Sequence, residues 1–154
     1  MIVDSALQVS GSISGNTVTG QTVTGSSAVL STNTVDLGVA RDLGEGKDLY
    51  ARVQVVTAFT GLTALTVDVI AADDAGLTSN VAVIGSTGSI PVASLTAGAR
   101  FAAEVNPRLA SKGQRYVGLR YTPTGTGTAG AVTGDIGVEV QDGQKLYPSG
   151  FAVL

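Results

Sequence analysis

The stretch Leu49-Tyr50-Ala51-Arg52-Val53-Gln54-Val55 decides the fold. Successive side chains of an extended chain point to opposite faces, so Leu49, Ala51, Val53 and Val55 share one side and Tyr50, Arg52 and Gln54 the other. A helix would scatter the same residues around its circumference. The spacing therefore predicts a strand with one face in a core and one face outward. The same period of two recurs along the chain. Leu65, Val67 and Val69 oppose Thr66 and Asp68, and Phe101, Ala103 and Val105 oppose Arg100 and Glu104. Val117, Leu119 and Tyr121 oppose Tyr116 and Arg120, while Ile136, Val138 and Val140 oppose Asp135, Gly137 and Glu139. Apolar runs at 81–84 and 90–95 and a pair of strands within 28–37 bring the total to about eight.

Turn signals separate these runs at Gly44-Glu45-Gly46, Asp73-Asp74-Ala75-Gly76, residues 85–88, Thr96-Ala97-Gly98, Asn106-Pro107 and residues 122–130. Many short strands with such punctuation predict an all-β fold, a jelly-roll-like antiparallel β-sandwich, with a small barrel as the rival architecture. Thr-Val-Thr-Gly occurs twice, at 17–20 and 22–25. Residues 1–27 are accordingly expected to form an extended N-terminal arm or hairpin, weakly paired or docked on a neighbouring subunit, ahead of a jelly-roll domain at 28–154.

Composition narrows the chemistry. The chain has 154 residues, within the range of one domain, and is 44% hydrophobic with only 5% aromatics and 21 glycines. Such a core is light, and the domain stands to gain from a partner surface. The net charge is −3 and Lys and Arg occur singly, so the basic patch of a nucleic-acid binder is missing. No run of 18 apolar residues exists to span a membrane as a helix. Met1-Ile2-Val3-Asp4-Ser5 lacks the basic and apolar regions of a secretory signal, and synthesis in the cytoplasm is expected.

The chain has no histidine, cysteine or tryptophan. Without histidine or cysteine a Ser-His-Asp or Cys-His nucleophile cannot be assembled, and disulfides and thiolate metal sites are excluded. Ser111 and Lys112 are adjacent, so on an extended chain they face apart. The acidic groups Asp73-Asp74 and Asp42, Glu45 and Asp48 do not follow calcium-loop spacing. Gly125-Thr126-Gly127-Thr128-Ala129-Gly130 neither ends in Gly-Lys-Ser/Thr nor opens a helix, and is expected to be a mobile loop and not a phosphate cradle. Glu104 and Glu139 lie on strands that could neighbour one another and are the leading candidates for a glycosidase-like carboxylate pair, but their outward positions make them surface charges. The expectation is no enzyme, no cofactor and no metal.

Several blocks together carry a resemblance. They are the opening Met1-Ile2-Val3-Asp4-Ser5-Ala6-Leu7, then Ser31-Thr32-Asn33-Thr34-Val35-Asp36-Leu37-Gly38-Val39-Ala40-Arg41-Asp42-Leu43-Gly44-Glu45-Gly46. Ser89-Ile90-Pro91-Val92-Ala93-Ser94-Leu95-Thr96-Ala97-Gly98-Ala99-Arg100-Phe101 follows, then Arg115-Tyr116-Val117-Gly118-Leu119-Arg120-Tyr121 and Ala129-Gly130-Ala131-Val132-Thr133. In this order the chain resembles the capsid cement (decoration) proteins of Bordetella-phage-type short-tailed bacteriophages. The resemblance implies a jelly-roll domain on the outer capsid surface of the virion, associated with itself as a dimer or trimer and bridging major capsid protein subunits, with no catalytic residue. Residues 11–27 and the tail after Asp142 depart from the pattern.

The residues themselves suggest where contacts fall. Phe151 follows Pro148 and Gly150 in a tail poor in polar groups, which suits a docking segment. Arg52 and Arg120 point outward from strands, either to meet acidic groups across an interface or as edge charges that discourage aggregation. The alternative function is a carbohydrate-binding or adhesin-type β-sandwich on a phage or cell surface, which needs an exposed tyrosine as its platform.

Overall fold

The computed structural model describes residues 4–40, 47–106 and 113–138. In chain order the strands are β1 (Gln8–Ser10), β2 (Ser12–Ser14), β3 (Thr17–Thr19), β4 (Gln21–Thr22), β5 (Val29–Leu30), β6 (Val35–Asp36), β7 (Leu49–Ala72), β8 (Ala82–Pro91), β9 (Arg100–Val105) and β10 (Tyr116–Gly137). Short 3-10 turns at Ser5–Leu7 and Val92–Ser94 are the helical elements of the described residues, and no helix among them is long and apolar enough to cross a membrane.

β7 and β10, with 24 and 22 residues, pair antiparallel from Tyr116 opposite Ala72 to Gly137 opposite Tyr50. Fully extended they would run roughly 70–80 Å at about 3.3 Å per residue, far longer than a small domain. The ribbon instead folds over near residues 56–62 of β7 and 124–131 of β10, where its register shifts. Its halves then face each other. A Cβ on Gly134, in the second half of β10, would stand 2.7 Å from Leu119 Cδ1 and 2.8 Å from the Tyr121 hydroxyl, both in the first half.

The remaining strands join one half or the other. β9 pairs with the first half of β7, and β1 and β4 with the second half of β10. β8 pairs with the second half of β7, and β5 and β6 with the first half of β10. Counting β1 with β4, β5 with β6, and each long strand as two gives eight segments, ordered 1-8-3-6 in one layer and 2-7-4-5 in the other. This is the order of a jelly roll. The inward sides of both layers meet in a core that includes Val53, Val55, Leu65, Val67, Leu119 and Tyr121. The alternation read from the sequence holds for these strands, with small aliphatics filling most of the core.

The layers are tied at both margins. Asn33 N–H donates to the Val9 carbonyl at 2.9 Å, and Asn106 N–H to the Ile84 carbonyl at 2.7 Å. Inside, the wholly buried Tyr121 donates its hydroxyl to Ser10 Oγ at 2.8 Å. Burial pushes the Tyr121 phenol pKa up, so it remains a neutral donor. Within residues 1–27, β1 and β4 belong to the sheet of their own chain, and Val9 and Val23 are buried in the core. Between them, β2 and β3 pair as a separate two-stranded hairpin.

Four local expectations need correction. Val138, expected inward beside Ile136, lies beyond the end of β10, where the alternation no longer sets its side, and is 52% exposed. Residues 122–130 are part of β10 and not a mobile loop, for Thr124 and Gly125 pair with β7, and Ala129 lies opposite Thr60. Two features disguised that strand. Pro123 removes a ladder donor, but it sits where β5 has ended at Tyr121 and β4 has not begun at Ala131, so that side has no ladder bond to lose. Gly130, at φ +150°, takes a conformation side chains rarely adopt, and a Cβ there would meet Phe59 Cδ1 at 2.2 Å. Residues 85–88 are likewise not a turn but a bulged stretch of β8, with register shifts against β7. The run 90–95 ends its strand at Pro91, and Val92–Ser94 is a 3-10 turn.

Because Tyr121 and Ser10 satisfy each other in a dry interior, Tyr121→Phe leaves the serine hydroxyl without its donor. The expected loss is about 1–2 kcal/mol in urea unfolding, and Ser10→Ala added to it costs less than the sum of the two single changes. Additive single changes would show that the bond does not tie the layers.

Candidate interaction surface

Among the described residues, the central strands of each layer carry an arginine–aspartate pair placed by strand register. Arg52 stands directly opposite Asp135, and Arg120 directly opposite Asp68. In the first pair Arg52 Nε donates to Asp135 Oδ2 at 2.9 Å and Nη2 donates to the same oxygen. Gly137 makes room for that guanidinium, since a Cβ there would lie 2.6 Å from Arg52 Nη2. The side chains are only 14% and 6% exposed. Burial raises the Asp135 pKa above its ordinary value, and the Arg52 hydrogen bond and charge offset part of that rise.

In the second pair Arg120 Nη2 donates to Asp68 Oδ2 at 2.8 Å, and Ser86 Oγ donates to Asp68 Oδ1 at 2.7 Å. Both arginines are outward, as the alternation requires, yet both bond to aspartates of their own chain. They also sit on β7 and β10, the central strands, so they are not edge charges. Asp135, which the alternation places on the side opposite Ile136, is nevertheless buried at 4% exposure. Sequence reasoning missed it because Arg52 and Asp135 are 83 positions apart and only the register makes them neighbours.

A third ion pair is exposed. Arg115 Nε and Nη2 donate to Asp36 Oδ1 and Oδ2 at 2.5 and 2.6 Å, and the guanidinium lies 5.1 Å from the centre of the Tyr116 ring. The arginine hydrogen bond, helped by the Gly38 N–H, lowers the Asp36 pKa to about 2.

The β2–β3 hairpin stands over the outer face of the β9-containing layer. Ile13 and Val18 face each other across it and are 48% and 49% exposed. Together with Gln8, Gln54, Val56 and Thr133 they line a depression of about 230 Å³. Gln8 is 8% exposed and its Nε2 is buried with no hydrogen-bond partner. Of the two Thr-Val-Thr-Gly copies, the first covers β3 of this hairpin, while the second begins in β4 and places Val23 in the core, so the repeat does not reveal the space beneath the hairpin. Val83, on β8 of the other layer, is also exposed, at 53%.

The remaining candidates are dispersed. Asp74 accepts hydrogen bonds from Thr78 N–H, Thr78 Oγ1 and Ser79 N–H at 2.7–2.9 Å, which organise its own turn and lower its pKa. Among the described residues no group of three His, Cys, Asp or Glu gathers to hold a metal. Glu104 is exposed on β9, and β7 lies between β9 and β10. Glu139, Ser111, Lys112, Asp42, Glu45 and Phe151 lie outside the described residues.

Fold and surface together define an all-β jelly-roll protein whose polar side chains chiefly organise its own two faces. The family model Bbp16 matches residues 17–136, and the chain belongs to the Bbp16 family, a phage-associated protein family. A comparison with curated proteins finds no match.

The two face pairs differ in burial, so they should differ in cost. Asp135→Ala deprives a largely buried guanidinium of its carboxylate and is expected to cost about 3 kcal/mol in urea unfolding, with Asp68→Ala costing less because Arg120 is more exposed. Equal costs would contradict this ranking.

The pH dependence has two signs. The lowered pKa of Asp36 gives stability that is present above 3.8 and lost as pH falls towards about 2. The raised pKa of Asp135 works oppositely, its contribution falling as pH rises through the folded value. Asp36→Asn should therefore flatten the acid limb of the stability curve in thermal melts, and added salt should do the same in the parent chain.

Proposed function

We propose that the chain is a structural cement protein that binds the outer surface of a phage head and bridges major capsid protein subunits. The observation that carries this reading is the Bbp16 match over most of the described fold. The surface supports it in kind. Two broad sheet faces whose central-strand arginines are paired within the chain, and half-exposed Ile13, Val18 and Val83, suit adhesion to other protein surfaces. A cement piece acts by mass action, binding the assembled shell in preference to its separated parts and so stabilising the shell. Many modest contacts on one particle then add through multivalency.

In this reading the protein is a homo-oligomer, a dimer or trimer, on the virion exterior. It has no enzymatic activity and needs no cofactor, nucleic acid or membrane. The carbohydrate-binding alternative has weaker support, because Tyr121 is wholly buried and Tyr50 and Tyr116 are half-buried within the sheets. Purified protein added to phage heads that lack it should bind to saturation and raise the temperature at which they rupture. Light scattering should give a mass of two or three chains. Absence from virions by mass spectrometry, with no binding to heads, would overturn the proposal.

A further inference from the structure

We infer that copies of this chain meet through the end of the molecule where the β7–β10 ribbon folds over, together with the β2–β3 hairpin beside it. Charged residues make up 14% of the chain, yet the stretches 5–35, 53–67, 75–99 and 121–134 contain none. The fold brings part of each stretch to one end. The corners of β7 and β10 lie within two of them, and the Gly25 bridge to Gly127 brings the segment after β4 there too. Phe59 N–H donates to the Leu95 carbonyl at 3.0 Å, which adds the turn after β8. Thr57, Thr60, Thr63, Thr126 and Thr128 are exposed on this end. The nearest charges along the ribbon are Arg52, Asp68, Arg120 and Asp135, each seven or eight positions from Thr60 or Gly127, or roughly 25 Å along an extended strand. All four are bonded in pairs within the chain.

The hairpin borders this end, for a Cβ on Gly20 would stand 3.0 Å from Ala131 Cβ and 3.1 Å from Val56 Cβ, at the edge of the corner. Its apolar pair lacks a cover that the same residues have elsewhere. Thr22-Val23-Thr24-Gly25 repeats Thr17-Val18-Thr19-Gly20, and Val23 is wholly buried in the core whereas Val18 is 49% exposed. Ile13, opposite Val18, is 48% exposed. Charge points to a second copy of the chain as the cover. A residue near the axis of a symmetric oligomer faces its own copies, so a charge there meets a like charge. Threonine hydroxyls around two aliphatic side chains carry no such cost. A different protein would instead be selected by opposite charges, which this end does not supply. Arg100, exposed opposite Gln54, marks the border of the surface. The inference rests on the homo-oligomer of the proposed function and locates its contact.

The test is the mass of the isolated full-length protein by light scattering across a dilution series, at low and at high salt. The parent chain should associate with a dissociation constant that changes by less than about threefold as salt rises, since no charge crosses the contact. Thr126→Lys and Val18→Lys should each raise that constant by about tenfold or more at low salt, and added salt should recover part of the loss. Both positions are exposed, so the urea unfolding midpoint of the monomer should hold. Val83→Lys, at an exposed site on the outer face of the other layer, should leave the association unchanged. The inference is overturned by a parent chain that stays monomeric throughout the series, by a Thr126→Lys or Val18→Lys chain that keeps the parent's dissociation constant, or by Val83→Lys dissociating the protein equally. Binding to heads is measured separately. A monomer that still coats heads would sink this inference alone, and an oligomer that dissociates as expected but binds no heads would sink the cement reading alone.

Discussion

β7 and β10 hydrogen-bond to each other along almost their whole length, and the placement of every other sheet strand follows from that ribbon. A ribbon of that length cannot stay flat in a chain of this size without leaving its apolar side in water. Folding it across the middle buries the apolar side of each half against the other, the hydrophobic effect supplying the drive. The fold-over also explains the corner. Thr60 and Thr128 share a hydrogen bond at 2.9 Å, and Thr63 Oγ1 donates to the Thr124 carbonyl at 2.9 Å, so threonine hydroxyls reinforce the corner where the ladder register slips.

The light composition of the core has a structural counterpart. Valine, alanine and leucine fill most of it, and the glycine at 134 lets the layers approach until Leu119 and Tyr121 occupy the space a Cβ there would need. Tyr121 is a large, wholly buried side chain among mostly aliphatic neighbours, and its hydroxyl needs Ser10 from the opposite layer. Outward-facing polar groups are similarly matched. Each layer holds one cross-strand arginine–aspartate pair on its central strands, which makes both outer faces nearly neutral in the middle. A neutral face of this kind can approach another protein surface without having to desolvate an unpaired charge.

This combination bears on the proposed role. Cement action needs a rigid body, a surface compatible with protein contact and many copies. A jelly roll with both margins tied provides the rigidity, and the apolar side chains exposed on the hairpin and on β8 provide surface for contact. The hairpin is the element least integrated with the sheets, because its two strands pair only with each other.

Much of the fold was legible in the sequence because a half-buried strand writes its orientation in every second residue. Ala51, Val53, Val55, Val117, Leu119 and Tyr121 all point inward as their alternation required. What the alternation concealed was continuity. Pro123, Gly130 and the slipped register between Thr124 and Val132 break the period of two without breaking β10, so a strand corner had the signature of a loop. The candidate surface was less legible for a related reason. Periodicity placed Arg52, Arg120, Asp68 and Asp135 on outer faces, but a face is a local property and a partner is not. The sequence by itself determined an all-β chain, the inward side of its principal strands and the absence of histidine and cysteine chemistry. Only the tertiary structure decided which strands are neighbours. That made the outward arginines partners of their own chain's aspartates and opened a space beneath the hairpin, because register joins residues by hydrogen bonding across strands and not by their separation along the chain.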